Sequence, residues 1–141
     1  METWKLNLDA MLACFAERWS PLKVAQINHY DVRIVKVQGE FTWHKRADTD
    51  EFFLVLGGEL TIRLRDRNVV LAARELFVVP RGVERCPRAG TETALVLLEP
   101  SSVVNTAMPA GNGTARPLAY LSALIKPADV QVERVGRERL S

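Results

Sequence analysis

The stretch that decides the fold runs Gly39-Glu40-Phe41-Thr42-Trp43-His44-Lys45-Arg46, then the polar Ala47-Asp48-Thr49-Asp50, then Glu51-Phe52-Phe53-Leu54-Val55-Leu56-Gly57-Gly58. Phe41 to Arg46 reads as a short extended piece. Glu51 to Leu56 is apolar at both odd and even positions, the pattern of a strand covered on both sides. Gly57-Gly58 turns the chain, and Leu60, Ile62 and Leu64 then alternate with Thr61, Arg63 and Arg65, giving one apolar face and one basic face. Asp66-Arg67-Asn68 supplies the next turn.

Working outward, strands follow strands with no helix between them. On the N-terminal side, Val24 to Ile27 and then Val32, Ile34, Val35 and Val37 are β-branched runs separated by an Asn28-His29 turn. On the C-terminal side come Val69 to Leu71, Leu76 to Val79, Val83 to Pro87 and Ala94 to Leu98. Such a series of short strands argues for an all-β sandwich or barrel. Residues 1–21 form a separate N-terminal segment: Leu8, Met11, Leu12, Phe15 and Trp19 lie at helical spacing, which predicts a helix from Asp9 to Trp19 with Asp9 as cap and Ser20-Pro21 as stop. The barrel domain is expected over residues 22–106. Residues 107–141 form a C-terminal extension that opens with a loop rich in Gly, Pro and Asn. There Pro117 to Lys126 fits a short helix, and a charged tail follows.

A chain of 141 residues has the size of a single domain, and 48% hydrophobic with 26% charged residues is an ordinary globular balance. The net charge of +2 is too small to argue for nucleic acid or a membrane as partner. No apolar run is long enough to span a bilayer and the N-terminus lacks the pattern of an export signal, so a cytoplasmic location is expected, with Cys14 and Cys86 as free thiols. Arg63, Arg65 and Arg67 alternate as an outward basic stripe. It has no interleaved aromatics along the strand, so a solvated face is the reading. Two His and two Cys in the whole chain make a closed structural zinc site improbable.

The stretch from Gly39 to Gly58, together with Glu75-Leu76-Phe77-Val78-Val79-Pro80-Arg81-Gly82-Val83-Glu84-Arg85, resembles the two motifs of the cupin superfamily. In particular it is similar to small single-domain cupins of the cupin 2, mannose-6-phosphate-isomerase-like type. Trp19-Ser20-Pro21 and Asn105-Thr106 match features that flank those domains, so the likeness spans about Leu8 to Thr106. It implies a double-stranded β-helix, a jelly-roll barrel, and by default a homodimer. It also implies a divalent metal held by two His and one Glu of the first motif and one His of the second. Carried onto this chain, those positions are His44, Arg46, Glu51 and Arg85.

Two of the four positions cannot coordinate. A guanidinium offers no lone pair and stays charged, so Arg46 and Arg85 repel a cation placed beside them. No metal cofactor is therefore expected, and His44, Arg46, Glu51 and Arg85 become candidate ligand-binding residues. One reading is a pocket for a small anion, in which Glu51 pairs one arginine and leaves the other free for a carboxylate or phosphate. Another is an internal salt-bridge network with Glu51, Glu75 or Glu84. Both point to a non-catalytic protein. The enzymatic alternative is a metal-dependent isomerase or dioxygenase using His44 and Glu51, with substrate completing the coordination. One further departure is Ala73-Arg74, where cupins usually carry Gly, which implies an altered or strained turn.

Overall fold

A computed structural model describes residues 3–101 and 133–135. The strands are β1 (Thr3–Lys5), β2 (Leu22–Ile27), β3 (Tyr30–Glu40), β4 (Glu51–Gly57), β5 (Glu59–Leu64), β6 (Asn68–Ala72), β7 (Leu76–Val79), β8 (Arg85–Pro100) and β9 (Glu133–Val135), with a single helix α1 (Leu8–Leu12) among the described residues. The main sheet runs β2-β3-β8-β4-β7, while β5 pairs with β6 and with the start of β8. Every ladder is antiparallel. This is the expected all-β jelly-roll architecture. The β1–β9 pair ties a piece of the C-terminal extension to the N-terminus. The anticipated helix over 117–126 and the boundary near residue 106 lie outside the described residues.

β8 is the spine of the fold, and it corrects the two-strand reading of its sequence. Val83 to Pro87 and Ala94 to Leu98 are not separate strands, because Arg85 to Pro100 is continuous. Its first part pairs with β5 (Leu64↔Arg85 to Thr61↔Arg88) and its last part with β4 (Val55↔Leu95 to Phe52↔Leu98), while β3 follows it almost throughout. The Arg88 to Thr93 segment looked like a break because Arg88, Gly90, Thr91 and Glu92 are polar or small. They are the exposed outer positions of a strand passing from one sheet to the other, and Ala89 and Thr93 keep the inward face buried. A bulge at Val37/Gly39 lets β3 follow the same bend, with Gly39 at φ +92°.

Period-2 alternation separates two cores. Val35, Val37, Phe53, Val55, Leu60, Ile62, Leu64, Leu71, Val79, Leu95 and Leu97 fill the barrel interior. The opposite positions Ile34, Val96, Val24 and Leu22 form an outer core, completed by Met11 and Leu12 of α1 and by Leu54 and Leu56. β4 is thus apolar on both sides because a layer covers each, as its sequence suggested.

The helix is shorter than its spacing implied. Asn7, rather than Asp9, caps it by accepting a hydrogen bond from Ala10 N at 2.9 Å, and Ala13 ends it. Residues beyond Cys14 are drawn onto β3 instead. Lys36 Nζ donates to the Phe15 carbonyl, Arg18 bridges to Lys36, and Trp19 N donates to Lys36 O at 2.8 Å with Trp19 at φ +58°. Tertiary hydrogen bonds thereby outweigh a helical pattern that rested on Phe15 and Trp19. Phe41 to Arg46 is likewise no regular strand: it meets β8 through the isolated bridge His44↔Arg85 and through Phe41 N donating to Pro87 O at 2.9 Å.

Arg74 adopts φ +71°, so the turn before β7 is made with a left-handed non-glycine residue. Its amide donates to Val55 O at 2.7 Å, and Glu75 closes the turn by accepting from Ala72 N at 2.8 Å. A side chain in this region costs roughly 1–2 kcal/mol, partly offset in glycine by its greater freedom when unfolded. Arg74→Gly is expected to stabilise the fold by about 0.5 kcal/mol and Arg74→Val to destabilise it by about 1 kcal/mol or more, read from urea denaturation midpoints.

Candidate functional site

Continuing the inward alternation to the end of each strand puts charge where the apolar core stops. Along β3 the inward row Val37, Val35 continues to Arg33 and Asp31; along β8 Leu95, Leu97 continues to Glu99; along β4 Val55, Phe53 begins at Glu51. All four of these charged residues are buried. His44 and Arg46 reach the same end of the barrel from the loop before β4. Arg85 enters at the start of β8, where His44 N donates to Arg85 O at 3.0 Å and Arg85 N to His44 O at 2.9 Å.

The result is an alternating chain of charge. Arg33 donates to Asp31 Oδ2 at 2.9 Å through Nη2 and to Glu99 Oε2 at 2.7 Å through Nη1. Arg46 Nη2 lies 3.1 Å from both Glu99 Oε1 and Glu51 Oε2. Arg85 Nη1 stands 3.6 Å from Glu51 Oε1. Three guanidiniums alternate with three carboxylates, and Lys23 Nζ adds a further cation 3.2 Å from Asp31 Oδ1 at the far end of the chain. Burial works to raise the Asp31 carboxyl, but hydrogen bonds from Ser101, Arg33 and Lys23 outweigh it and hold the group below its ordinary value.

All four candidate residues are therefore brought together, and the salt-bridge network is present with a different membership. Glu51 belongs to it. Glu75 and Glu84 do not: Glu75 caps the β6–β7 turn, and Glu84 pairs with exposed Arg65. Glu99, Arg33 and Asp31 take part although the sequence reading passed them over. The signal that finds them is phase, since each continues an apolar period-2 row.

Arg46 and Arg85 are not equivalent. Arg46 and His44 keep 15% and 13% of their side chains exposed and line a cleft, whereas Arg85 is fully buried behind Glu51. Its Nη2 makes one long bond to Pro80 O at 3.4 Å, while Nε and Nη1 have no hydrogen-bond partner. Burial, with Arg46 adding to it against the pull of Glu51, lowers the Arg85 pKa from its ordinary value. The cleft encloses about 410 Å³ including its open mouth. Its walls are apolar, with Trp19, Phe41, Phe53, Val35, Leu95 and Leu97, and its polar end consists of His44, Arg46 and Glu51. Trp19 stacks on Phe41 with centroids 5.0 Å apart and planes 7° from parallel, anchored by Trp19 Nε1 donating to Gln38 O at 2.9 Å.

The basic stripe also changes in three dimensions. Trp43, distant in sequence, lies against it, with Arg65 Cζ 3.7 Å and Arg63 Cζ 5.4 Å from its ring centroid. Arg63 pairs with Glu40 and Arg67 with Asp66. Cys14 and Cys86 form no disulfide; Cys86 is buried, and burial raises its thiol pKa. No helix among the described residues is long and apolar enough to cross a membrane.

The His44 ring is held edge-on to Phe41, and its Nδ1 is 2.9 Å from the Thr42 carbonyl. A carbonyl only accepts, so Nδ1 carries the proton and Nε2 presents a lone pair. Burial first, then Arg85 and Arg46, lower the His44 pKa against the opposing pull of the Thr42 carbonyl and Glu99. The unfolded chain consequently takes up a proton at higher pH than the folded one. The stability linked to His44 is complete above about pH 6.5 and is lost as pH falls below it. Urea unfolding across pH 5–8 is expected to show this slope, and His44→Gln to flatten it. Removing Glu51 leaves Arg46 half-paired and Arg85 uncompensated, so Glu51→Ala is expected to cost about 3–5 kcal/mol in the same assay.

Comparison with known proteins agrees with this architecture. Residues 32–100 match the Cupin domain family. An uncharacterised protein of Bacillus subtilis (strain 168), YdbB, is 32% identical over 94 residues, covering 66% of this chain and 83% of YdbB. Among solved structures, a cupin-2 domain containing protein from Shewanella frigidimarina is 44% identical with a TM-score of 0.67, over 67% of this chain and 93% of that one. Protein NMB1881 from Neisseria meningitidis is 28% identical with a TM-score of 0.62, over 69% of this chain and 99% of that one. With its curled antiparallel barrel and this likeness over nearly the whole of a cupin-2 relative, the chain belongs to the cupin superfamily.

Proposed function

We propose that this cupin is a metal-independent binding protein that takes a small molecule into the open end of its barrel. The observation that carries the reading is the donor set. Of the four positions at which the family resemblance implies metal ligands, only His44 Nε2 and Glu51 offer lone pairs. Glu51 Oε2 is already bonded to Arg46, and Oε1 faces Arg85. Among the described residues, no group of three or more His, Cys, Asp and Glu side chains is placed to hold a metal. A divalent cation at this point would sit between two guanidiniums, and the residues do not fit it. The isomerase or dioxygenase reading would hold its metal on His44 Nε2 and on a Glu51 already engaged by Arg46 and Arg85, with substrate supplying every other ligand beside two guanidiniums.

What remains is a cleft with apolar, partly aromatic walls and a few converging polar atoms, the composition of small-molecule sites. The internal ion pairs already balance the charge that a metal would have brought. A second reading, an anionic ligand, draws on the unpartnered Nε and Nη1 of Arg85. An anion reaches them only if Glu51 swings aside, because Arg85 is buried behind it.

Protein purified without chelator or metal-binding tag is expected to contain substoichiometric iron, zinc, manganese and nickel by elemental analysis. It is expected to stay so after incubation with each ion and desalting, while Arg46→His/Arg85→His gains zinc. Stoichiometric metal in the parent protein overturns the reading. Tm shifts with phosphate or citrate that vanish in Arg85→Lys favour the anionic ligand; Tm unchanged by either leaves the neutral one.

A further inference from the structure

Resting on the reading of the barrel end as a metal-free pocket, we propose that its ligand is a small neutral molecule with a flat apolar body and one hydroxyl, a phenol or similar alcohol, donating its proton into the gap between His44 and Glu51. Two acceptors face each other there. His44 Nε2 presents a lone pair because Nδ1 is committed to the Thr42 carbonyl, and Glu51 Oε1 lies 3.9 Å from it, too far for a direct bond. Glu51 Oε1 is buried and has no hydrogen-bond partner, its nearest cation being Arg85 Nη1 at 3.6 Å. A buried carboxylate oxygen without a donor is costly, and two opposed lone pairs add repulsion. One O–H set to the side of the pair can share its single proton between them in a bifurcated hydrogen bond.

Charge selects against the alternatives. An ammonium group would satisfy the two acceptors but would lie beside Arg46 and Arg85, adding a cation where the guanidiniums already match the carboxylates in number. A carboxylate or phosphate would point oxygen lone pairs at Glu51 Oε1 and His44 Nε2. A neutral donor leaves the balance of three guanidiniums and three carboxylates undisturbed. The flat body follows from the walls. The stacked Trp19 and Phe41 rings form one slab, His44 meets Phe41 edge-on with centroids 4.8 Å apart, and Phe53 and Leu97 line the cleft as well.

The test uses the full chain and three probes of like shape: p-cresol, its methyl ether 4-methylanisole, and p-toluate, with inorganic phosphate as a further anion. Binding is measured by calorimetric titration, and the His44 imidazole nitrogens are followed by NMR, with exposed His29 as the internal reference. The expected result is saturable p-cresol binding that moves the His44 Nε2 resonance. Binding should be weaker by about tenfold for the methyl ether, which keeps the body and loses the donor. His44→Gln is expected to weaken p-cresol by more than it weakens 4-methylanisole, narrowing the difference between the two. Equal affinity for phenol and ether, or tighter binding of p-toluate or phosphate, overturns the donor recognition while the pocket reading stands. Absence of binding by all four probes overturns the phenol proposal, while the metal-free pocket reading falls only on stoichiometric metal in the parent protein.

Discussion

A guanidinium that is wholly buried must find its counter-charge in the protein, and Arg85 finds only part of it. Glu51 answers at 3.6 Å and the Pro80 carbonyl at 3.4 Å, longer than the 2.7–3.1 Å contacts elsewhere in the network. The rest of the barrel end is arranged around that demand. Glu51 is shared with Arg46, Arg46 is shared with Glu99, and Glu99 is shared with Arg33, which reaches Asp31. Each side chain is placed by a strand whose other inward residues are apolar. The chain of charge is therefore held to the fold by the same alternation that builds the core. Stability alone does not call for such a device, because well-packed apolar residues often serve equally well. It does set the polarity and hydrogen-bonding character of a cleft.

The fold makes this assembly possible by bending one strand. Arg85 and Glu99 stand fourteen residues apart on β8, a separation of roughly 46 Å were the strand straight. Both nonetheless reach the Glu51–Arg46 pair. The bend through Ala89 to Thr93, followed on β3 by the bulge at Gly39, brings the two ends of β8 around to one opening. The same curl closes the apolar interior, so the position of the charged cluster and the closure of the barrel have one geometric cause. The loop carrying His44 and Arg46 is pinned at the rim by Phe41 N donating to Pro87 O, by the His44–Arg85 bridge and by Gly82 N donating to Arg46 O.

Much of this was legible in the residues. Period-2 alternation identified the inward face of β5, continuous apolar residues identified β4 as covered on both sides, and the resemblance of the two motifs placed His44, Arg46, Glu51 and Arg85 in one interior. Turn chemistry marked Asn28 and the strained Arg74, both of which take positive φ. Misreadings came where a local pattern competed with a distant partner. Phe15 and Trp19 had helical spacing, but their neighbours hydrogen-bond to β3 and Trp19 is needed at the cleft. Arg88 to Thr93 had the composition of a turn because a strand crossing between sheets exposes its outer residues. Trp43 belongs to the basic stripe only in space.

By itself, the sequence determined the all-β fold and the inward phase of β5, since these depend on residue type and on spacing of two, and its resemblance to cupins implied that arginine stands at two metal-ligand positions. Only the tertiary structure decided which carboxylates answer those arginines, because Glu99, Arg33 and Asp31 come to Arg46 and Glu51 through strand pairing across wide sequence separations. It also decided that Arg85 is sealed behind Glu51 while Arg46 lines the cleft, a distinction of depth that no one-dimensional pattern carries. And it decided the tautomer of His44, because the Thr42 carbonyl that claims Nδ1 is set by the path of the loop and leaves Nε2 facing the carboxylate as an acceptor.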